Sequence, residues 1–224
     1  MRKALLVLGG GSDQVFMIKT AREIGYITVC VDNNPKAPGL DLADYSKAIN
    51  FTNTNSVILY CKKLIAAGVN LSGVSTMGSD IPHIVAKISS FFNWIGPTIE
   101  TGIWASHKFK MKTRFAEKKI PIPRFGLVKT ARDIDDLRIE WNVDTLIIKP
   151  TDRAGSRGVR IIYQHDDLGL ALDYAQKYSL NNEILLEEFI SGPQISTETI
   201  MYKGVGVTPG FADRVYDDTQ LFSP

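Results

Sequence analysis

The first half of the chain alternates short apolar runs with segments in which apolar residues recur every three or four positions. The first pattern predicts buried strands and the second predicts amphipathic helices. Predicted strands cover residues 3–8, 26–31, 71–75 and 94–95, and predicted helices cover 14–24, 55–67 and 81–92. Strands that alternate with helices are typical of parallel sheets joined by right-handed crossovers. We therefore expect an α/β domain in this half.

The pattern changes after Gly96 and Pro97. A basic helix is predicted over 108–119, and two prolines interrupt the chain after it. Further strands are predicted over 125–128, 146–149, 159–163 and 184–188, with helices over 131–141 and 167–178. Residues 195–202 and 205–208 predict a β-hairpin that turns at Lys203 and Gly204. This half is expected to be an α+β unit with antiparallel pairing.

Composition narrows the class of protein. The 224 residues are 44% hydrophobic and 22% charged, and the formal net charge is +2. So small a charge argues against nucleic acid as a partner. No apolar run approaches the roughly 18 residues of a membrane span, and the N-terminal apolar run ends at Gly9. Cys30 and Cys61 lack the spacing of a metal or redox site and are expected to be buried thiols. We expect a soluble, cytoplasmic protein with no membrane partner.

Residues 146–162 carry the most informative chemistry. Two apolar strands flank a loop with Gly155, Ser156 and Gly158, and Lys149 lies at the end of the first strand. Glycines let backbone N–H groups approach a phosphate, and a lysine adds positive charge. The residues by themselves fit either a lid over nucleotide phosphates or a hairpin with an exposed basic turn. A P-loop and a protein kinase both place the lysine after the glycines, so neither matches this order.

A second glycine motif, Gly9-Gly10-Gly11, lies between the first strand and the first helix, and Asp32 ends the next strand. This arrangement suggests a dinucleotide site, but Gln14 stands where that fingerprint needs its third glycine. The N-terminus of the helix can instead offer N–H groups to another anion, such as a carboxylate. A structural or substrate-binding role is therefore favoured over NAD or FAD binding. An NAD-dependent protein would bind NADH, and ATP would not affect that binding.

Glu187 to Ile190 form a third motif, in which an apolar strand ends in two carboxylates and an aromatic residue. By itself this motif fits a solvated acidic pair at a strand end. His83, His107 and His165 are scattered and share no metal-ligand spacing. No metal site and no protein nucleophile are predicted.

In this order, the motifs resemble the ATP-grasp superfamily, above all the branch of biotin carboxylase, the carbamoyl phosphate synthase large subunit and the purine-pathway carboxylate–amine ligases. The resemblance covers essentially the whole chain. It implies a Rossmann-like pre-ATP-grasp domain over 1–106, an α+β ATP-grasp small subdomain over 107–190 and the start of the large subdomain over 191–224. Ser106, His107 and Lys108 are similar to the start of the ATP-grasp module, although most members have aspartate where His107 stands.

The resemblance also implies residue roles. Lys108 and Lys149 match two lysines that contact ATP phosphates, and the glycine loop matches one that closes over the β- and γ-phosphates. At the hinge, backbone groups of Glu188 and Ile190 match those that contact the adenine edge, and acidic side chains help to hold the nucleotide. Glu198 is a further candidate for the acidic side chains that help to hold the nucleotide. The implied ATP-binding residues are Lys108, Lys149, Gly155, Ser156, Gly158, Glu187, Glu188, Phe189 and Ile190. The candidate site for a substrate carboxylate consists of Gly10, Gly11 and Ser12.

The implied reaction is that of an ATP-dependent carboxylate–amine or carboxylate–thiol ligase. The γ-phosphoryl group of Mg-ATP passes to a carboxylate, and a nucleophile attacks the resulting acyl phosphate. Such chemistry rests on positioning and charge neutralisation. The expected partners are small-molecule carboxylate and amine substrates, and the sequence does not identify either of them. A homodimer is possible, and the sequence does not decide the oligomeric state.

In this family the Mg²⁺ ligands lie well past the hinge. Asp213, Asp217 and Asp218 lie too near the hinge to match them, so the metal ligands are expected beyond residue 224. The chain by itself is then expected to be inactive, as a truncated form, a split gene product or a remnant. The alternative hypothesis is a non-catalytic or degenerate ATP-binding module without the metal site.

Overall fold

The computed structural model describes residues 2–215 and divides into two units between Met111 and Lys112. The division falls inside a helix, α6 (Lys108–Glu117). The boundaries expected from the sequence, at residues 106 and 190, stay predictions. Within the described residues, no helix combines the length and apolar character needed to cross a bilayer.

Unit 1 is built on a parallel sheet. Its strands are β1 (Lys3–Leu8), β2 (Ile27–Asp32), β3 (Tyr45–Ala48) and β4 (Asn70–Ser75). Its helices are α1 (Ser12–Glu23), α2 (Pro38–Leu42), α3 (Thr54–Ala66), α4 (Pro82–Phe91) and α5 (Ile99–Ser106). The strand order is β3-β2-β1-β4, and all the pairs are parallel. The α/β architecture predicted for this half is confirmed.

Both faces of this sheet are covered, which explains the continuous apolar runs of its central strands. On one face Leu6 and Val29 belong to a core cluster that includes Val57 of α3. On the other face Val7 packs with Ile18 of α1. Strand residues therefore alternate between two separate cores.

Three elements of unit 1 were not predicted from the sequence, namely α2, β3 and α5. Strand β3 lies at the sheet edge with all four residues exposed, so it has no apolar periodicity. The predicted strand at 94–95 is wrong. Trp94 instead stacks on Phe92, with ring centroids 4.5 Å apart, and its backbone N–H donates to the Ser89 carbonyl. Phe92 and Trp94 pack against the core, and the backbone of this segment forms a turn and not a strand.

Unit 2 contains an antiparallel sheet and a separate hairpin. The strands of its four-stranded sheet are β5 (Phe125–Val128), β6 (Leu146–Pro150), β7 (Arg160–Ile162) and β8 (Ile184–Glu188). The helices are α7 (Ala131–Trp141) and α8 (Leu168–Tyr178), and the hairpin strands are β9 (Gln194–Tyr202) and β10 (Val205–Arg214). The sheet order is β5-β8-β6-β7, and each neighbouring pair is antiparallel. The predicted α+β character of this half is confirmed.

The core of unit 2 lies between one face of this sheet and helices α7 and α8. Leu146, Ile148 and Leu186 point into it and meet Ile134 and Leu172. Because side chains alternate along a strand, the residues between them point to the opposite face. That opposite face carries the charged residues of the candidate site.

Candidate functional site

Lys149 and Glu187 are placed together by strand register. Lys149 pairs with Leu185 and Ile147 pairs with Glu187 in the β6–β8 ladder, so the two charged residues are diagonal neighbours on one sheet face. The Lys149 Nζ lies 2.9 Å from Glu187 Oε2. Both residues were predicted from sequence as site residues, and the structure brings them into direct contact.

Lys112 of α6 joins this pair and was not predicted from the sequence. Its Nζ lies 3.3 Å from the same Glu187 Oε2 and 5.7 Å from the centroid of the Phe125 ring. The side chains of Lys112, Lys149 and Glu187 are only 10%, 18% and 5% exposed. The sequence predicts this segment only as part of a basic helix and indicates no role for Lys112. The available signal was that Lys112 lies three residues from both Phe109 and Phe115, the partly buried aromatics of α6.

This cluster, formed by Lys112, Lys149 and Glu187, carries two ammonium groups and one carboxylate in a buried place. Burial lowers the pKa of Lys112, and Lys149 lowers it further, whereas the Glu187 carboxylate acts to raise it. Glu187 Oε1 is buried and has no hydrogen-bond partner among the described residues. The cluster therefore has surplus positive charge and one open acceptor, which suits a ligand that is anionic and also carries a donor.

The glycine loop between β6 and β7 has an anchored base. Asp152 Oδ2 accepts hydrogen bonds from the backbone N–H groups of Leu180 and Asn181, each at 2.9 Å. Arg153 donates from Nε to the Tyr178 carbonyl. The strands on either side pair antiparallel, as in the hairpin interpretation of this segment. The role of the loop as a phosphate lid stays a prediction.

The tip of this loop has left-handed backbone at its three predicted residues. The φ angles of Gly155, Ser156 and Gly158 are +63°, +57° and +73°. A Cβ at Gly158 would lie 2.8 Å from Pro150 Cγ and 2.9 Å from Tyr178 Cβ, so only glycine fits there. Gly155 and Ser156 are exposed.

The hinge residues differ in the contacts and the exposure of their side chains. Glu188 is bound by Arg124, whose Nε lies 2.9 Å from Oε2 and whose Nη2 donates to Oε1 at 3.2 Å. The Glu188 backbone N–H donates to the Arg124 carbonyl. Phe189 is half-buried and Ile190 is exposed, and Glu198 is exposed on β9. The carboxylate of Glu188 is thus engaged by arginine, and that of Glu187 by the lysines.

The remaining predicted residues lie in unit 1. Lys108 is the first residue of α6 and is half-buried. The Gly10 N–H donates to Asp32 Oδ2 at 2.6 Å, and the Gly11 N–H donates to Gln14 Oε1 at 2.9 Å. Two N–H groups expected to receive a substrate carboxylate are therefore engaged by side chains of unit 1. Ser12 is exposed at the start of α1, and the carboxylate site stays a prediction.

Gln14 also explains the missing third glycine of the fingerprint. Its Nε2 donates to the Met77 carbonyl, and its side chain is buried. The amide thus links the loop after β1 to the loop after β4, where an α/β sheet usually opens a ligand crevice.

Among residues 2–215, no three histidine, cysteine or carboxylate side chains come together as metal ligands. Asp213 is exposed on β10, whereas Asp217 and Asp218 lie outside the described residues.

Residues 105–210 match the ATP-grasp domain family. These residues are an ATP-grasp domain. The match spans the glycine loop, all three cluster residues and the hinge, so the family predicted from sequence is confirmed.

The relatives of this chain include ligases. The formate-dependent phosphoribosylglycinamide formyltransferase of Prochlorococcus marinus is 24% identical over 194 residues, covering 85% of this chain and 48% of that protein. The D-alanine–D-alanine ligase of Nitratiruptor is 32% identical over 110 residues, or 48% of this chain and 30% of that protein.

The fold matches a solved structure as well. The biotin carboxylase domain of the Hydrogenobacter thermophilus 2-oxoglutarate carboxylase, solved with MgADP, ADP and bicarbonate, aligns with a TM-score of 0.77 at 20% identity. The alignment covers 95% of this chain and 50% of that chain. This chain spans 34% and 48% of the lengths of the first two curated relatives.

Proposed function

We propose that the ATP-grasp domain binds ATP at the cluster of Lys112, Lys149 and Glu187, as the nucleotide-binding portion of an ATP-dependent carboxylate–amine or carboxylate–thiol ligase. The observation that supports the proposal most directly is the convergence of two buried lysines on one carboxylate oxygen. Two cations against one anion leave a buried surplus of positive charge, which is costly unless an anion neutralises it.

The residues present fit a nucleoside triphosphate. Lys112 and Lys149 would pair with phosphate oxygens and spread their negative charge during transfer. Glu187 Oε1 is an open acceptor for a donor on the ligand. The left-handed tip at Gly155, Ser156 and Gly158 would present backbone N–H groups to phosphate and exclude water.

The reaction proposed is transfer of the γ-phosphoryl group to a substrate carboxylate, followed by attack of an amine or thiol on the acyl phosphate. This chemistry needs no protein nucleophile, since positioning and charge neutralisation supply the catalysis. Mg²⁺, when bound, would neutralise negative charge on the phosphates. No ligand for Mg²⁺ is proposed within residues 2–215.

Isothermal titration calorimetry with MgADP tests the nucleotide site. We expect Lys149→Ala to weaken binding by more than about 30-fold, since removing one partner of a buried charge pair costs ~2 kcal/mol or more. Lys177→Ala, which changes an exposed lysine of α8, is the matched control and should bind as the wild type does. Affinity of Lys149→Ala within about twofold of the wild type would overturn the assignment.

Turnover separates a ligase from a binding module. ADP release from ATP that depends on an added carboxylate, measured with the complete protein, would support the ligase. Nucleotide binding without any carboxylate-dependent ADP release would instead favour the non-catalytic module.

A further inference from the structure

Glu187 is the most fixed member of the cluster. It lies on β8, which pairs with β5 on one side and β6 on the other, so its backbone is held from both edges. Lys112 and Lys149 come from two different elements, and each carries its ammonium group at the end of a flexible chain of four methylene groups. The Oε2 atom of Glu187 is the point that both ammonium groups share.

Building on the proposed function, we propose that Glu187 is a positioning residue, which holds the ammonium groups of Lys112 and Lys149 at one point so that the phosphates meet an assembled cation pair. A carboxylate in a phosphate site would by itself repel the ligand. Its benefit must come from what it does to the lysines, and the geometry shows both of them bound to it.

The electrostatics of Lys112 support this role. The charged groups that face Lys112 are Glu187 from β8 and Lys149 from β6, while β5 contributes the uncharged ring of Phe125. Burial and Lys149 both lower the pKa of Lys112, and Glu187 is the influence that raises it. Without the carboxylate, only the lowering influences remain, so Lys112 would lose its proton at a lower pH.

The role proposed for Glu187 predicts how the affinity for MgADP changes with pH. Phosphate binding needs protonated Lys112, so in Glu187→Gln the affinity for MgADP should fall as the pH rises through the lowered pKa. A wild-type protein that keeps Lys112 protonated should show a flatter profile. If Glu187 acted only as a repelling charge, Glu187→Gln would bind more tightly at every pH.

The experiment has two parts. The titration of Lys112 is followed by NMR on ¹³C-lysine-labelled protein without nucleotide, and the dissociation constant for MgADP is measured between pH 6.5 and 9.5. In Glu187→Gln we expect Lys112 to titrate at lower pH than in the wild type, and MgADP binding to weaken by more than about tenfold across this range. Glu140→Gln, which changes an exposed carboxylate of α7, is the matched control and should follow the wild type in both measurements.

An unchanged Lys112 titration in Glu187→Gln would overturn the proposal. If the wild type fails to bind MgADP, the proposed function fails, and the NMR titration still decides the role of Glu187. Should Glu187→Gln not fold, Lys149→Met provides the decision. Removing the second cation should move the Lys112 titration to higher pH, and no movement would contradict a shared carboxylate.

Discussion

At the residue scale, two adjacent glutamates have separate partners. Neighbouring side chains on a strand point to opposite faces, so Glu187 faces the lysines and Glu188 faces Arg124. The sequence identified both as candidates but treated them as one acidic pair. Which carboxylate meets lysine and which meets arginine depends on residues far away in the sequence, and no local pattern encodes that choice.

The Arg124–Glu188 pair predicts a pH effect on stability. Hydrogen bonding from the Arg124 side chain lowers the pKa of Glu188 below its ordinary value. The ionised form is favoured by folding, so the contribution is fully present above the ordinary glutamate pKa, about 4.3. It is lost as the pH falls through the lowered pKa of the folded protein. We expect Arg124→Gln to lower the stability at pH 7, and to lower it less at pH 3, where protonation of Glu188 has removed part of the contribution of the pair.

Urea unfolding at pH 7 and pH 3 measures this difference. Arg132→Gln is the control, because Arg132 is 87% exposed and 3.8 Å from Asp136. Its cost should be near zero at both pH values. An Arg124→Gln cost that grows on acidification would contradict the assignment.

At the element scale, the β6–β7 hairpin shows how a loop can be anchored at its base and left open at its tip. Asp152 and Arg153 bind the backbone of residues 178–181, whereas Gly155 and Ser156 are exposed. The order of strand, lysine, glycines and strand was readable from the sequence, because turn glycines and β-branched runs are local signals. The anchoring bonds were not, since their acceptors and donors belong to a distant segment.

Two glycines of this loop provide a matched pair of substitutions. Gly155 and Gly158 both have positive φ, but only Gly158 is crowded, by Pro150 and Tyr178. Gly155→Ala should destabilise the protein by about 1 kcal/mol through backbone strain alone. Gly158→Ala should cost about 1–3 kcal/mol more, because the methyl group has no room. Equal unfolding free energies for the two variants in urea titrations would contradict this packing.

At the scale of the whole molecule, the chain consists of two units with different sheets, plus the β9–β10 hairpin within unit 2. Every residue of this hairpin is exposed except Gln194, Ser196 and Gly210, which are half-buried. An isolated two-stranded sheet is marginally stable in water. The exposed apolar side chains of the hairpin include Ile200 and Val207.

Hydrogen exchange can test the difference between the hairpin and the sheet. We expect the amides of β9 and β10 to exchange orders of magnitude faster than those of β6 and β8, since few buried contacts oppose local opening of the hairpin. Strands β6 and β8 serve as the internal reference, with Leu146, Ile148 and Leu186 fully buried. Comparable protection of both regions, measured by mass spectrometry, would contradict an exposed hairpin.

The sequence by itself determined the alternation of strands and helices, the antiparallel second half, the glycine loop with its preceding lysine, and the family. Each of these rests on local periodicity or on motif order, which are properties of neighbouring residues. The tertiary structure decided that Lys112 meets Lys149 at Glu187, that Glu188 is engaged by Arg124, and that Gln14 and Asp32 bind the N–H groups of the first glycine turn. The partners of a charged or polar group are set by strand register and helix packing, and these bring together residues that are distant in the chain.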